Sequence, residues 1–95
     1  MSESRAEIVT PQAGKYLVQL CKHFAHRLPV SHGERAGRIG FPAGDVDLRA
    51  EAETLSIALT APGPAELEAL KDVVVRHLVR FAFREELAVA WRDPA

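Results

Sequence analysis

One cysteine, one methionine, one tryptophan and one tyrosine are all that these 95 residues contain of those four types, and aromatic residues make up 6% of the chain. Each scarcity excludes something. Cys21 alone cannot close an internal disulfide or form a multi-cysteine metal knuckle, and a lone thiol agrees with a reducing compartment. No stretch approaches the roughly 20 apolar residues needed to cross a bilayer. The first residues, MSESRAEIVT, lack the basic start and apolar core of a signal peptide. The expectation is a cytoplasmic protein without a membrane partner.

Net charge of one sign is also missing. Twelve basic against 13 acidic residues give a formal charge of −1, so no global field draws the molecule onto nucleic acid or anionic lipid. What is present, 47% hydrophobic and 26% charged residues, is the composition of an ordinary folded domain. There is no internal repeat and no low-complexity run. The length is that of one domain spanning residues 1–95 with one core.

The order of elements follows from periodicity. Ala6–Val9 reads as a short strand. Thr10-Pro11 reads as a helix start, with a capping hydroxyl followed by proline at the first helical position, and the helix is predicted over about 11–27. At about 100° per residue, Ala13, Leu17, Leu20, Cys21, Phe24 and Leu28 fall on one stripe. Beyond it the period becomes two. Leu28–His32 and Arg38–Phe41 read as a hairpin, followed by strands at Asp45–Glu51 and Leu55–Thr60.

Pro64 suits the start of a second helix, where Leu67, Leu70, Val74, Leu78 and Phe81 recur at three and four as far as about residue 82. Leu87, Val89 and Trp91 then alternate as a closing strand. The predicted fold class is α+β: a two-layer sandwich with a mainly antiparallel sheet and two helices on one face, in the order β-α-β-β-β-β-α-β.

The segments Leu20-Cys21-Lys22-His23-Phe24-Ala25-His26 and Arg80-Phe81-Ala82-Phe83-Arg84-Glu85-Glu86-Leu87 resemble a small bacterial domain-of-unknown-function family, number two-two-one-eight. Thr10-Pro11, Phe41-Pro42 with Gly44, and Trp91 carry the resemblance over nearly the whole chain. It implies a standalone bacterial domain, with a related domain sometimes attached to flavin-dependent siderophore-interacting reductases, and hence an iron or siderophore context. The predicted fold is similar to the terminal domain of phosphohexomutases and to half of the TATA-binding protein. Neither likeness transfers a function.

Chemistry-bearing residues are few. In CKHFAHR, residues 21–27, the helical wheel separates Cys21 on the buried stripe from His23 and His26 facing away. The two histidines are three apart and can share a metal, but such a site needs a further ligand, from His32, Glu34 or another chain. Imidazoles in the last turns of a helix are also favoured by its dipole, with no metal involved. Cys21 reads as an inert core thiol and His77, at the edge of the second stripe, as a partly buried, satisfied histidine. No nucleophile elbow or phosphate-cradling glycine loop occurs.

The leading expectation is therefore a non-enzymatic binding or accessory module. Its candidate binding residues are Lys22, His23, His26, Arg80, Arg84 and Glu85, and its expected partner is an acidic small molecule or a siderophore-related protein. No cofactor is assigned. One alternative is a metal-dependent enzyme with His23 and His26 as ligands and Glu85 as base. The other is a structural homodimer through the small residues of the wet sheet face, Ser56, Ala58, Thr60, Ala88 and Ala90. Nucleic acid is not expected there, because Asp45, Asp47 and Glu51 would repel phosphate. Parallel helices would gather the candidate residues at one place; antiparallel helices would disperse them.

Overall fold

A computed structural model describes residues 1–93. Five strands, β1 (Ser2–Val9), β2 (Val30–His32), β3 (Ala36–Phe41), β4 (Gly44–Glu51) and β5 (Thr54–Ala61), form one sheet with two helices, α1 (Ala13–Phe24) and α2 (Pro64–Phe81). All pairings are antiparallel, in the order β1-β5-β4-β3-β2. The fold is the α+β sandwich that the alternation predicts. Its shortest dimension, 21 Å, accommodates one sheet and one layer of helix, about 10 Å apart.

The strands alternate strictly. Ile8, Ile39, Val46, Leu48, Leu55, Ile57 and Leu59 are all buried and point to one face, while their neighbours point to the other. α1 turns Leu17, Leu20 and Cys21 into that core, and α2 adds Leu67, Leu70, Val74 and Leu78. Burying each such leucine or isoleucine contributes about 1.5–3 kcal/mol. Tyr16, outside the predicted stripe, is buried as well.

β1 and β5 run antiparallel, and each feeds a helix that returns across the same face. α1 and α2 are consequently antiparallel, as the contacts of His23 with His77 and Phe81 and of Tyr16 with Glu85 require.

Besides the bounds of β1, which starts at Ser2 and not Ala6, and of α1, which spans Ala13–Phe24 and not 11–27, two details differ from the sequence reading. Thr10 does not cap α1, whose N-cap is Gln12. Its hydroxyl accepts the Gln12 N–H at 3.1 Å and so closes a turn one step before the helix. The closing strand is reduced to an extended segment with a single antiparallel bridge, in which Arg5 and Arg92 exchange backbone hydrogen bonds of 2.9 and 2.7 Å. Leu87, Val89 and Trp91 still pack inward against the core. Alternation reports which side is apolar, and the inward packing satisfies it without a ladder. The segment covers the β1 edge, and Lys71 holds it by an ion pair to Asp93 at 3.1 Å.

Two glycines are dictated by close approach. A Cβ on Gly37 would lie 2.6 Å from the Cys21 sulfur, so the thiol fills the space that a side chain would need. At Gly44, with φ +154°, a Cβ would lie 2.2 Å from the Thr60 carbonyl oxygen and 3.0 Å from Leu70 Cδ1. Gly44→Ala is expected to cost more than about 2 kcal/mol in urea unfolding, whereas Gly33→Ala, with nothing within 4 Å of its Cβ, stays within about 0.5 kcal/mol of wild type.

Candidate functional site

The antiparallel helices sort the candidate residues into separate places. At the C-terminal end of α1, the His23 ring lies 4.9 Å from that of His77, 4.9 Å from Phe24 and 5.7 Å from Phe81. Phe24 in turn meets His77 and Phe41, each at 4.9 Å. Five rings thus seal the helix crossing. His77 Nδ1 lies 2.7 Å from the Val73 carbonyl, which can only accept, so Nδ1 carries the proton and Nε2 holds the lone pair in the neutral ring. His23 as a residue is exposed, yet its ring is packed among these partners. Loss of solvent first, and then His77, His26 and Arg80, hold its pKa below the ordinary 6.5.

His26 lies beyond the end of α1 and is exposed. The third ligand that His23 and His26 would need is not supplied: no group of three His, Cys, Asp or Glu residues among the described ones is placed to hold a metal. The neighbour that matters to His23 is His77. The position of His77 at the edge of the α2 stripe was the only trace of this pairing in the sequence, whose helical wheel turned His23 away from the α1 stripe.

The second place lies at the other end of α1. After α2, the Glu85 N–H donates to the Ala82 carbonyl at 3.0 Å and turns the chain back over the start of α1. There the Thr10 hydroxyl sits 3.0 Å from both Glu85 carboxylate oxygens, and the Tyr16 hydroxyl donates to Oε2. Thr10 is fully buried and Tyr16 nearly so. Burial, the hydrogen bond to Glu85 and the negative charge of Glu85 push the Tyr16 pKa up to about 12. Glu85 is thus a clamp with both oxygens engaged. Tyr16 is seven residues before His23, roughly 10 Å along the helix, so Glu85 and the histidines do not form one catalytic centre.

Beside this clamp, Pro11, Gln12, Lys15, Tyr16, Phe81, Phe83, Arg84 and Glu85 line an open depression of about 560 Å³. Phe83 is 75% exposed, which is unusual for so large an apolar ring. The Arg84 guanidinium carbon lies 5.3 Å from its centroid, within cation–π range. Lys15 adds a second cation, and neither it nor Arg84 makes an ion pair within 4 Å among the described residues. Of the remaining candidates, Arg80 acts on His23, and Lys22 lies on another flank of α1 with Glu34 and Arg35. Lys15, Tyr16 and Phe83 were missed. Lys15 and Tyr16 stand far from the Arg84 segment in the chain, and only the turn at Ala82–Glu85 joins them.

A family described as uncharacterised proteins conserved in bacteria, DUF2218, has a model that matches residues 5–92. Among solved structures, the NMR structure of PA4090 from Pseudomonas aeruginosa is similar, with 32% identity, a TM-score of 0.82, and coverage of 97% of this chain and 96% of that one. No curated protein matches.

Two titrations check the geometry. Tyr16 is the only tyrosine, so the phenolate absorbance of the folded protein should rise near pH 12. Glu85→Gln should bring that midpoint down part of the way, because burial remains; an unshifted midpoint in the variant would contradict the clamp. For His23, the unfolded chain takes up a proton near pH 6.5 while the folded one resists it. Below that pH the unfolded state binds more protons and stability falls. The drop in Tm from about pH 7.5 to about pH 5.5 should accordingly be smaller in His23→Gln than in wild type.

Proposed function

The chain belongs to this DUF2218 family of bacterial proteins, and we propose that it works as a binding module whose site is the depression between the start of α1 and the turn after α2. The observation that carries this reading is the engagement of both Glu85 oxygens by Thr10 and Tyr16. It fixes the turn that presents Phe83 and Arg84, and it occupies the one carboxylate that could have served as a base there.

What the depression then offers is recognition. Arg84 presents a planar fork suited to a carboxylate or phosphate, Lys15 adds a point charge, and Phe83 offers a flat apolar face. With Glu85 counted, the lining carries one net positive charge. A small acid with an aromatic or apolar body meets all three groups.

A nucleophilic route has no support in these residues. Cys21 is fully buried beneath Gly37, and burial pushes its pKa up, whereas a reactive thiolate needs exposure and positive surroundings. The siderophore context implied by the family resemblance fits the proposed ligand class, since aromatic acids are common iron-chelating fragments.

Salicylate and inorganic phosphate are the probes. Titration followed by amide chemical shifts should move residues 11–16 and 81–86 with salicylate, and Arg84→Ala should weaken that binding by about 5- to 10-fold. Phosphate, which lacks the ring, should bind more weakly than salicylate. Absence of shifts at these residues, or shifts centred on His23 and His77, would overturn the reading.

A further inference from the structure

The open face of the sheet carries a pattern of charge that the binding site does not use. In the pairing register, Arg5 lies opposite Ala58, which lies opposite Asp47, which lies opposite Arg38. In the next row on this face, Glu7 lies opposite Ser56, then Arg49, then Ala36. The two rows read plus, neutral, minus and minus, neutral, plus across β1, β5 and β4. Small side chains on β5 keep the middle low, and a depression of about 580 Å³ runs between the charged rims.

Such a two-by-two checkerboard is complementary to itself. We infer that this face is the contact surface of an isologous dimer, with Arg5 of each copy against Glu7 of the other and Asp47 against Arg49.

The required symmetry axis lies in the interface, perpendicular to the strands, between the Ala58 and Ser56 rows. It sets Ala58 over Ser56 at the centre and Arg38 over Ala36 at the side, and it opposes no like charges in these two rows. In the flanking rows Asp45 turns toward Glu51, but Arg38 neutralises Asp45 at 2.9 Å, and the inclination of packed sheets splays their outer rows apart. An axis along β5 would instead stack Glu3 on Asp45 and bring Arg38 toward Arg92, since Arg92 bridges to Arg5 and extends that row. Two arginines in contact within a central row disfavour that arrangement.

The surface is available: Arg5 and Glu7 are exposed and make no ion pair within 4 Å among the described residues. The pairs that Arg38 makes with Asp47 at 3.7 Å and Arg49 with Glu51 at 3.3 Å join solvent-exposed side chains and are weak enough to exchange.

The size is at the lower limit. With eight residues in each of β1, β4 and β5, six in β3 and three in β2, a rise of about 3.3 Å per residue and a strand spacing of about 4.8 Å present roughly 520 Å² per copy, or about 1,000 Å² for a dimer, the least that a specific interface buries. Face-to-face sheets of this kind pack about 10 Å apart with the strands inclined by about 30°.

The test is a charge swap read by light scattering after size-exclusion chromatography at about 200 µM protein, where even a dimer with a Kd near 10 µM is mostly assembled. Wild type should be a dimer. Arg5→Glu should be a monomer, because the new carboxylate at position 5 then opposes Glu7 of the other copy, twice over in the symmetric pair. The double variant Arg5→Glu/Glu7→Arg should be a dimer again, because the exchanged charges still oppose each other across this axis.

Asp47→Arg/Arg49→Asp is a second reciprocal swap that should likewise remain dimeric, while Asp47→Arg alone should not. Circular dichroism confirms that each variant is folded. A monomeric wild type, a dimer that survives both single reversals, or folded double variants that stay monomeric would each overturn the proposal.

Discussion

Apart from the exposed Val9 at the end of β1, the strands of this sheet send their large apolar side chains to one face, and the other face is left to charged and small residues. That constraint governs the rest. Both helices must cover the same side, and because β1 and β5 are antiparallel neighbours, the helices that follow them run antiparallel and touch. The core is therefore a single layer of contacts between Leu17, Leu20, Leu70, Val74 and Leu78 above and Ile39, Val46, Leu48, Leu55, Ile57 and Leu59 below. Where a side chain would interfere with that closure, glycine stands instead, under Cys21 at Gly37 and against Thr60 at Gly44.

The last turns of α2 and the segment after them meet α1 at two places, each with its own chemistry. One is closed by aromatic contacts among His23, Phe24, Phe41, His77 and Phe81. The other is closed by a hydrogen-bonded clamp of Thr10, Tyr16 and Glu85. The clamp does more than join two segments. It places an exposed phenylalanine and arginine beside Lys15 on a turn that its partly buried hydrogen bonds hold in place, and a preorganised surface binds at lower entropic cost than a mobile one. The sheet's outer face is a third region, with alternating charge and low relief, independent of the other two.

Much of the architecture was legible because periodicity is a local property. The alternation at Asp45–Glu51 and Leu55–Thr60, and the three-and-four spacing of Leu67 through Leu78, each report burial within a few residues of chain. The closing segment shows the limit of that signal: Leu87, Val89 and Trp91 alternate and pack inward, but ladder formation also needs a partner edge in register, which alternation does not encode. Thr10 shows another limit. Its hydroxyl was legible as a local hydrogen-bonding group near a helix start, while its second partner, Glu85, lies 75 residues away.

The sequence by itself determined the α+β class, the two amphipathic helices, the burial of Cys21 and the separation of His23 from it, because each depends on spacing within one element. Only the tertiary structure decided what the exposed groups do. Helix direction paired His23 with His77 instead of giving His23 and His26 a third ligand. The turn after α2 brought Glu85 to Tyr16 and Arg84 near Lys15. Strand register aligned Arg5 with Asp47 and Glu7 with Arg49. These are contacts between residues far apart in the chain, and their geometry is set by how whole elements pack, which no short window of sequence contains.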